Sequence, residues 1–156
     1  MRNVLIIVDP QNDFITGSLA IEGAEAKMKN LTEYLKEKGD KYDFIAFTAD
    51  SHPENHCSFK ENGGIWPKHC VVFTDGWFLP EDLADVLYDC KQAACYHKGE
   101  LADREEYSIF DSEEDGSTLA YQLRNFAANN EVYFDICGIA GDYCVLETLK
   151  GLVGLV

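Results

Sequence analysis

Val4-Leu5-Ile6-Ile7-Val8, followed at once by Asp9, is the stretch that decides the fold. Five successive apolar residues, four of them β-branched, leave no polar face, which is the pattern of a strand buried on both sides in a parallel sheet. Phe44 to Thr48 and Val132 to Gly138 read the same way, and Ala93 to His97 more weakly. Between the first two strands, Ala24, Met28, Leu31 and Leu35 recur at helical spacing, with charges on the other face and Gly39 as a stop. A second helix is expected from Ser117 to Ala128, with Leu119, Leu123 and Phe126 on one face. A third is expected from near Tyr143, with Val145, Leu149 and Leu152 or Val153 inward. Strands alternating with helices imply crossover connections and an α/β fold, a three-layer αβα sandwich around a mostly parallel central sheet.

No repeat and no Pro/Gly/Ser-rich linker divides the 156 residues, so one domain is expected over 1–156. A chain that is 46% hydrophobic and 26% charged belongs to the globular class, not to the collagen-like, coiled-coil or disordered classes. Twenty-eight acidic against 13 basic side chains give a formal charge of −15, which speaks against nucleic-acid and anionic-membrane partners. A small neutral or cationic substrate suits such a field. The apolar run at the N-terminus is too short for a signal-peptide core or a membrane span, and the six cysteines form no CxxC pair, so a cytoplasmic protein with reduced thiols is expected.

In parallel α/β sheets, functional groups gather beyond the carboxyl ends of the strands. Here the four strand ends lead to Asp9; to Asp50 and His52; to Lys98; and, through Gly138-Ile139-Ala140-Gly141, to Cys144. An acid, a pair of metal-competent side chains, a cation and a thiol on one rim make a site the leading expectation. Cys144 falls where a helix should begin, and there unpaired N–H groups and the helix dipole favour a thiolate. The nearby glycines permit tight turns whose N–H groups can serve as an oxyanion hole. Its base would be Asp9, or a histidine recruited from His52, His56, His69 or His97. Asp50 and His52 stand at i and i+2, the spacing that points two ligands to one side of an extended backbone, and His56 and His69 follow. Two imidazoles and a carboxylate suit zinc, iron or manganese. Phe14, Trp66, Trp77 and Tyr107 are loop aromatics against which a flat heteroaromatic ligand could stack, and Asp111 to Asp115 reads as a solvated loop with Asp115 and Ser117 as helix caps.

Five ordered blocks, Asp9-Pro10-Gln11-Asn12-Asp13-Phe14, Asp50 to Phe59, Trp66-Pro67-Lys68-His69-Cys70, His97-Lys98-Gly99 and Gly138 to Val145, resemble the nicotinamidase/pyrazinamidase branch of the isochorismatase-like cysteine hydrolases. The resemblance implies a metal-dependent amidase of NAD salvage that converts nicotinamide, and pyrazinamide, to nicotinate and ammonia through an acyl-enzyme. It makes Cys144 the nucleophile, Asp9 the base and Lys98 the cation that steadies both. The N–H groups of Ala140 and Cys144 become the oxyanion hole, with a cis peptide between Ile139 and Ala140. It makes Asp50, His52 and His69 the ligands of one divalent metal, zinc first, with His56 and Glu61 as alternatives for a further ligand. Phe14, Trp66 and Tyr107 would wall the substrate ring. Ser51 departs from the aromatic residue often found at its position in the branch. The branch also continues with at least one more strand and helix after the Cys144 helix, so a C-terminal truncation or a variant end is expected, with an unpaired sheet edge that a homo-oligomer could cover. The alternatives are another cysteine hydrolase of the same fold with a different small substrate, or a catalytically inactive binding or scaffold homologue.

Overall fold

A computed structural model describes residues 1–155. In chain order its elements are β1 (Arg2–Val8), α1 (Asn12–Ile15), α2 (Ala24–Lys38), β2 (Phe44–Asp50), α3 (Glu81–Asp89), β3 (Ala93–Lys98), α4 (Asp115–Asn129), β4 (Val132–Gly138) and α5 (Leu146–Leu155). The four strands form one sheet in the order β3-β2-β1-β4, and every pairing is parallel.

Because side chains alternate along β1, its apolar run supplies both cores at once. Leu5 and Ile7 pack with Met28, Leu35, Leu83 and Leu87 under α2 and α3. Val4, Ile6 and Val8 pack with Leu119, Leu123 and Leu152 under α4 and α5. This is the expected three-layer α/β sandwich. Among the described residues, no helix is long and apolar enough to cross a membrane.

Register is what positions the site. Val8 pairs with Gly138, and Asp50 pairs directly with Lys98, so all four strands end on one rim. Gly138 is required there: its φ is +133°, and a Cβ would stand 2.2 Å from the Val8 carbonyl oxygen.

Four expectations are corrected. β4 is an edge strand, not one buried on both faces, so Tyr133 and Asp135 face outward. Cys144 lies in a wide helical turn, Gly141–Val145, with an N–H of Val145 bonded to the Ala140 carbonyl, and α5 proper begins only afterwards. α5 turns Thr148 and Leu152 inward, in line with Cys144, and leaves Leu149 and Val153 exposed. Asp115 lies inside the first turn of α4, where its carboxylate accepts the His97 N–H at 2.6 Å and so ties α4 to β3 instead of capping its own helix. The acidic stretch before it is not merely solvated, since Ser108 and Asp111 form a reciprocal capping box around a short 3₁₀ turn.

Helix α3 was not anticipated. Its apolar positions Leu83, Val86 and Leu87 have helical spacing, and Pro80 with Glu81 and Asp82 marks its start.

Candidate active site

Asp9 leaves β1 with a left-handed backbone, φ +48°, a conformation that costs a non-glycine residue about 1–3 kcal/mol. Thr48 on β2 holds it. Its hydroxyl accepts the Asp9 N–H at 3.1 Å and donates to Asp9 Oδ1 at 2.6 Å. Gln11 fixes the next strand end: its amide oxygen accepts the Asp50 N–H at 2.9 Å and its amide nitrogen donates to the Asp50 carbonyl at 2.8 Å.

Lys98 is fully buried and stands between three groups. Its Nζ lies 2.9 Å from Asp9 Oδ2, 2.5 Å from Asp50 Oδ1 and 3.4 Å from Cys144 Sγ. The ammonium and Asp9 Oδ2 form a buried ion pair. Burial opposes the Lys98 charge, but Asp50, Asp9 and Cys144 together hold its ammonium protonated well above the ordinary range. Burial pushes the Asp9 carboxyl up, against the pull of Lys98, and pushes the Cys144 thiol well up, against the same pull. The resting site therefore favours a neutral thiol beside a carboxylate that is a stronger base than usual. Asp50 is the reverse: despite burial, Lys98 and His52 hold its carboxyl well below the usual range.

The second oxygen of Asp50 faces two imidazoles. Asp50 Oδ2 lies 3.5 Å from His52 Nε2 and 3.8 Å from His69 Nε2. Each ring is held by its other nitrogen, His52 Nδ1 donating to the Gly99 carbonyl at 2.8 Å and His69 Nδ1 to the Pro67 carbonyl at 2.7 Å. A carbonyl only accepts, so both Nδ1 atoms carry the proton and both Nε2 lone pairs are presented to the cluster. His52 Nε2 is buried with no hydrogen-bond partner. An orphaned lone pair facing a carboxylate and a second imidazole, with all three ligand atoms within 4.8 Å of one another, fits a divalent cation. The loops carrying the two histidines are laced together, His52 donating its N–H to the Cys70 carbonyl and Asp13 accepting the Cys70 N–H at 2.7 Å.

The alternatives for a further ligand lie outside this cluster. His56 donates from Nε2 to the Arg104 carbonyl and accepts at Nδ1 from the Ser58 N–H, so both ring nitrogens are occupied by backbone. Burial, then the neighbouring His52, brings its pKa down to about 4. Glu61 is exposed and pairs with Lys68 at 3.0 Å. His97 also stays outside, bonded through Nδ1 to Ser51 Oγ at 2.8 Å, whereas the Asp9 carboxylate lies within hydrogen-bond reach of the Cys144 thiol.

A cavity of about 220 Å³ opens beside these groups, lined by Asp50, His69, Ala140 and Cys144. Phe14, Trp66 and Tyr107 line it, Trp66 donating its indole N–H to the Tyr107 hydroxyl at 3.1 Å. Trp77 does not: its N–H goes to Ser51 Oγ at 2.9 Å and its ring stacks on His97. The reading missed Tyr143, which packs edge-on against Trp66 at 4.9 Å, and Leu19, Ile21, Glu105 and Asp142 on the same wall. Tyr143 adjoins the thiol in sequence, a signal that was available. Leu19 and Ile21 carried none. The Ile139–Ala140 peptide is cis, as the resemblance implies.

The nicotinamidase/pyrazinamidase of Mycobacterium tuberculosis is 36% identical over 154 residues, covering 96% of this chain and 77% of that protein. The chain belongs to the nicotinamidase/pyrazinamidase family. Two solved structures of the family superpose closely. The Pyrococcus horikoshii pyrazinamidase in complex with zinc gives a TM-score of 0.79 at 35% identity, covering 99% of this chain and 80% of that one. The yeast nicotinamidase bound to the inhibitor nicotinaldehyde gives 0.83 at 29% identity, covering 98% and 82%. No family model matches the chain. These family relatives share the isochorismatase-like α/β fold, and the zinc in the archaeal structure agrees with the Asp50, His52 and His69 cluster as a metal site.

Proposed function

We propose that residues 1–156 form one hydrolase domain that converts nicotinamide, and pyrazinamide, to the carboxylic acid and ammonia through a cysteine acyl-enzyme. The observation that carries this reading is the placement of Asp9, Lys98 and Cys144 within reach of one another, with Cys144 lining a cavity that Asp50 and His69 also line. The cavity is small beside the roughly 300–1,000 Å³ of pockets that take drug-sized ligands, which suits a single-ring amide.

Asp9 accepts the Cys144 proton as the sulfur attacks the amide carbon. Lys98 offsets the charge as it moves from carboxylate to sulfur, and the N–H groups of Ala140 and Cys144 receive the developing oxyanion. Asp9 then returns the proton to the departing nitrogen, ammonia leaves, and a water deprotonated by Asp9 hydrolyses the thioester. Phe14, Trp66 and Tyr107, with Tyr143, hold the ring flat. A divalent cation, zinc by first choice, would be held by Asp50, His52 and His69 and supply an electrophilic anchor for the ring nitrogen. Six free thiols and an acidic surface are compatible with work in the cytoplasm on a small neutral substrate.

The test is ammonia release from nicotinamide by the purified, zinc-loaded chain beside Cys144→Ala. Release by the parent, and none by a variant of equal metal content and circular dichroism, is expected. A folded, zinc-loaded parent that releases no ammonia overturns the substrate, and an active Cys144→Ala overturns the nucleophile.

A further inference from the structure

We propose that Glu106 is a positioning residue for the metal ligand His52, acting through the backbone of Gly99; the inference rests on the metal-site reading above. Glu106 is 4% exposed, and its Oε2 accepts the Gly99 N–H at 2.9 Å. The carbonyl of the same glycine accepts the His52 Nδ1 proton at 2.8 Å. One residue's two backbone dipoles therefore join a buried carboxylate to the imidazole.

Gly99 needs such a tie. Its φ is +69°, and a Cβ there would stand 2.5 Å from His52 Cε1 and 2.7 Å from Nδ1, so only glycine lets the loop press against the ring. Glycine is also the residue with the most backbone freedom to lose, and nothing in its own structure keeps its carbonyl on target. The Glu106 side chain is long enough to bring an acceptor oxygen to the Gly99 N–H, which makes it a suitable anchor. Its other contacts are secondary. Arg104 Nε lies 3.5 Å from Oε1, and the half-exposed guanidinium also binds Glu113 and the Asp111 carbonyl. Lys98 approaches the Glu106 backbone carbonyl, a contact that side-chain substitution spares.

Holding the Gly99 carbonyl fixes which nitrogen of His52 carries the proton and how the ring is turned, and so keeps the Nε2 lone pair on Asp50 and His69. Loss of such an outer partner commonly costs 10–100-fold in metal affinity.

The experiment is a Zn²⁺ titration of the full chain, stripped by a chelator and read against a chromophoric competitor, with no turnover involved. Glu106→Asp keeps the charge but is a methylene too short to reach Gly99, and the Zn²⁺ Kd is expected to rise roughly 10–100-fold. Glu106→Gln loses the charge but keeps an acceptor oxygen within reach, and should stay within about threefold of the parent, as should Arg104→Ala. Both Glu106 variants preserve volume well enough to fold, and circular dichroism checks that they do. Affinity that follows charge instead of reach, an unaffected Glu106→Asp, or an Arg104→Ala as weak as Glu106→Asp overturns the proposal. A parent chain that binds no Zn²⁺ overturns it together with the metal site, whereas tight Zn²⁺ binding without amide hydrolysis overturns only the proposed reaction.

Discussion

Replacing Lys98 by Met keeps the length of the side chain and removes the one charge that two buried carboxylates share. The ammonium lies 2.9 Å from Asp9 and 2.5 Å from Asp50, with no solvent access. At an effective dielectric constant of about 20, each such pair attracts by about 6 kcal/mol, and the desolvation of the ions cancels much of that. Deleting one member of a buried pair leaves an uncompensated charge and costs about 3–5 kcal/mol. At about 2–4 °C per kcal/mol for a domain of this size, Lys98→Met should melt about 6–20 °C below the parent. The measurement is urea and thermal unfolding of chelator-treated protein, where no bound cation replaces the missing ammonium. Asp9→Asn combined with Lys98→Met removes one of the stranded carboxylates, so the double variant should be at least about 1 kcal/mol more stable than the sum of the single losses, and still inactive. A Lys98→Met chain as stable as the parent, or a strictly additive double variant, would refute the account of Lys98 as the compensating charge.

Burial raises the Asp9 carboxyl above 3.8 despite Lys98, and the reaction needs its ionised form, so kcat/KM should fall as pH falls, with an acid limb centred above 3.8. Thr48→Val deletes the hydroxyl that donates to the carboxylate and holds its pKa down, and should move that limb up; a limb at or below 3.8, or one shifted down, contradicts the assignment. Gly99→Ala drives a Cβ to 2.5 Å from His52, so the Zn²⁺ Kd should rise at least about tenfold and stability fall by about 1–3 kcal/mol, and an unchanged Kd would mean the loop does not press on the ring. Trp66→Phe keeps the aromatic wall but removes the hydrogen bond to Tyr107; KM should rise about threefold to tenfold with kcat retained, and a kcat loss of about a hundredfold would show that Trp66 does more than line the cavity.

The layers and the rim were legible because β1 is an unbroken apolar run and because the polar residue after each strand interrupts it abruptly. Asp9, Asp50, Lys98 and the glycines before Cys144 all stand at such interruptions. What was not legible is contact across the loops. Nothing local distinguishes His56 from His52 as a ligand. The difference is that Arg104 and Ser58, 48 and 2 residues away, occupy both nitrogens of His56, whereas one nitrogen of His52 is left without a partner. Trp77 and Trp66 were likewise equivalent as loop aromatics, and only the fold turns one toward Ser51 and the other toward the cavity. The exposure of Leu149 and Val153 was not legible either, because these two residues share the helical spacing of Thr148 and Leu152, and the side of α5 that turns inward is set by packing.

The two halves of the site meet in one carboxylate. Asp50 turns Oδ1 to Lys98, and through it to Asp9 and the thiol, while Oδ2 faces His52 and His69. The parallel register makes this possible, since Asp50 and Lys98 are cross-strand partners and their side chains leave the sheet at the same level. Gln11 then clamps the Asp50 backbone on both its N–H and its carbonyl, so the carboxylate cannot turn toward one half without leaving the other. On the proposed mechanism, a substitution at Asp50 is therefore expected to disturb metal binding and proton transfer together. Cys144 and His52 stand on opposite sides of that joint, and substitutions there separate the two functions.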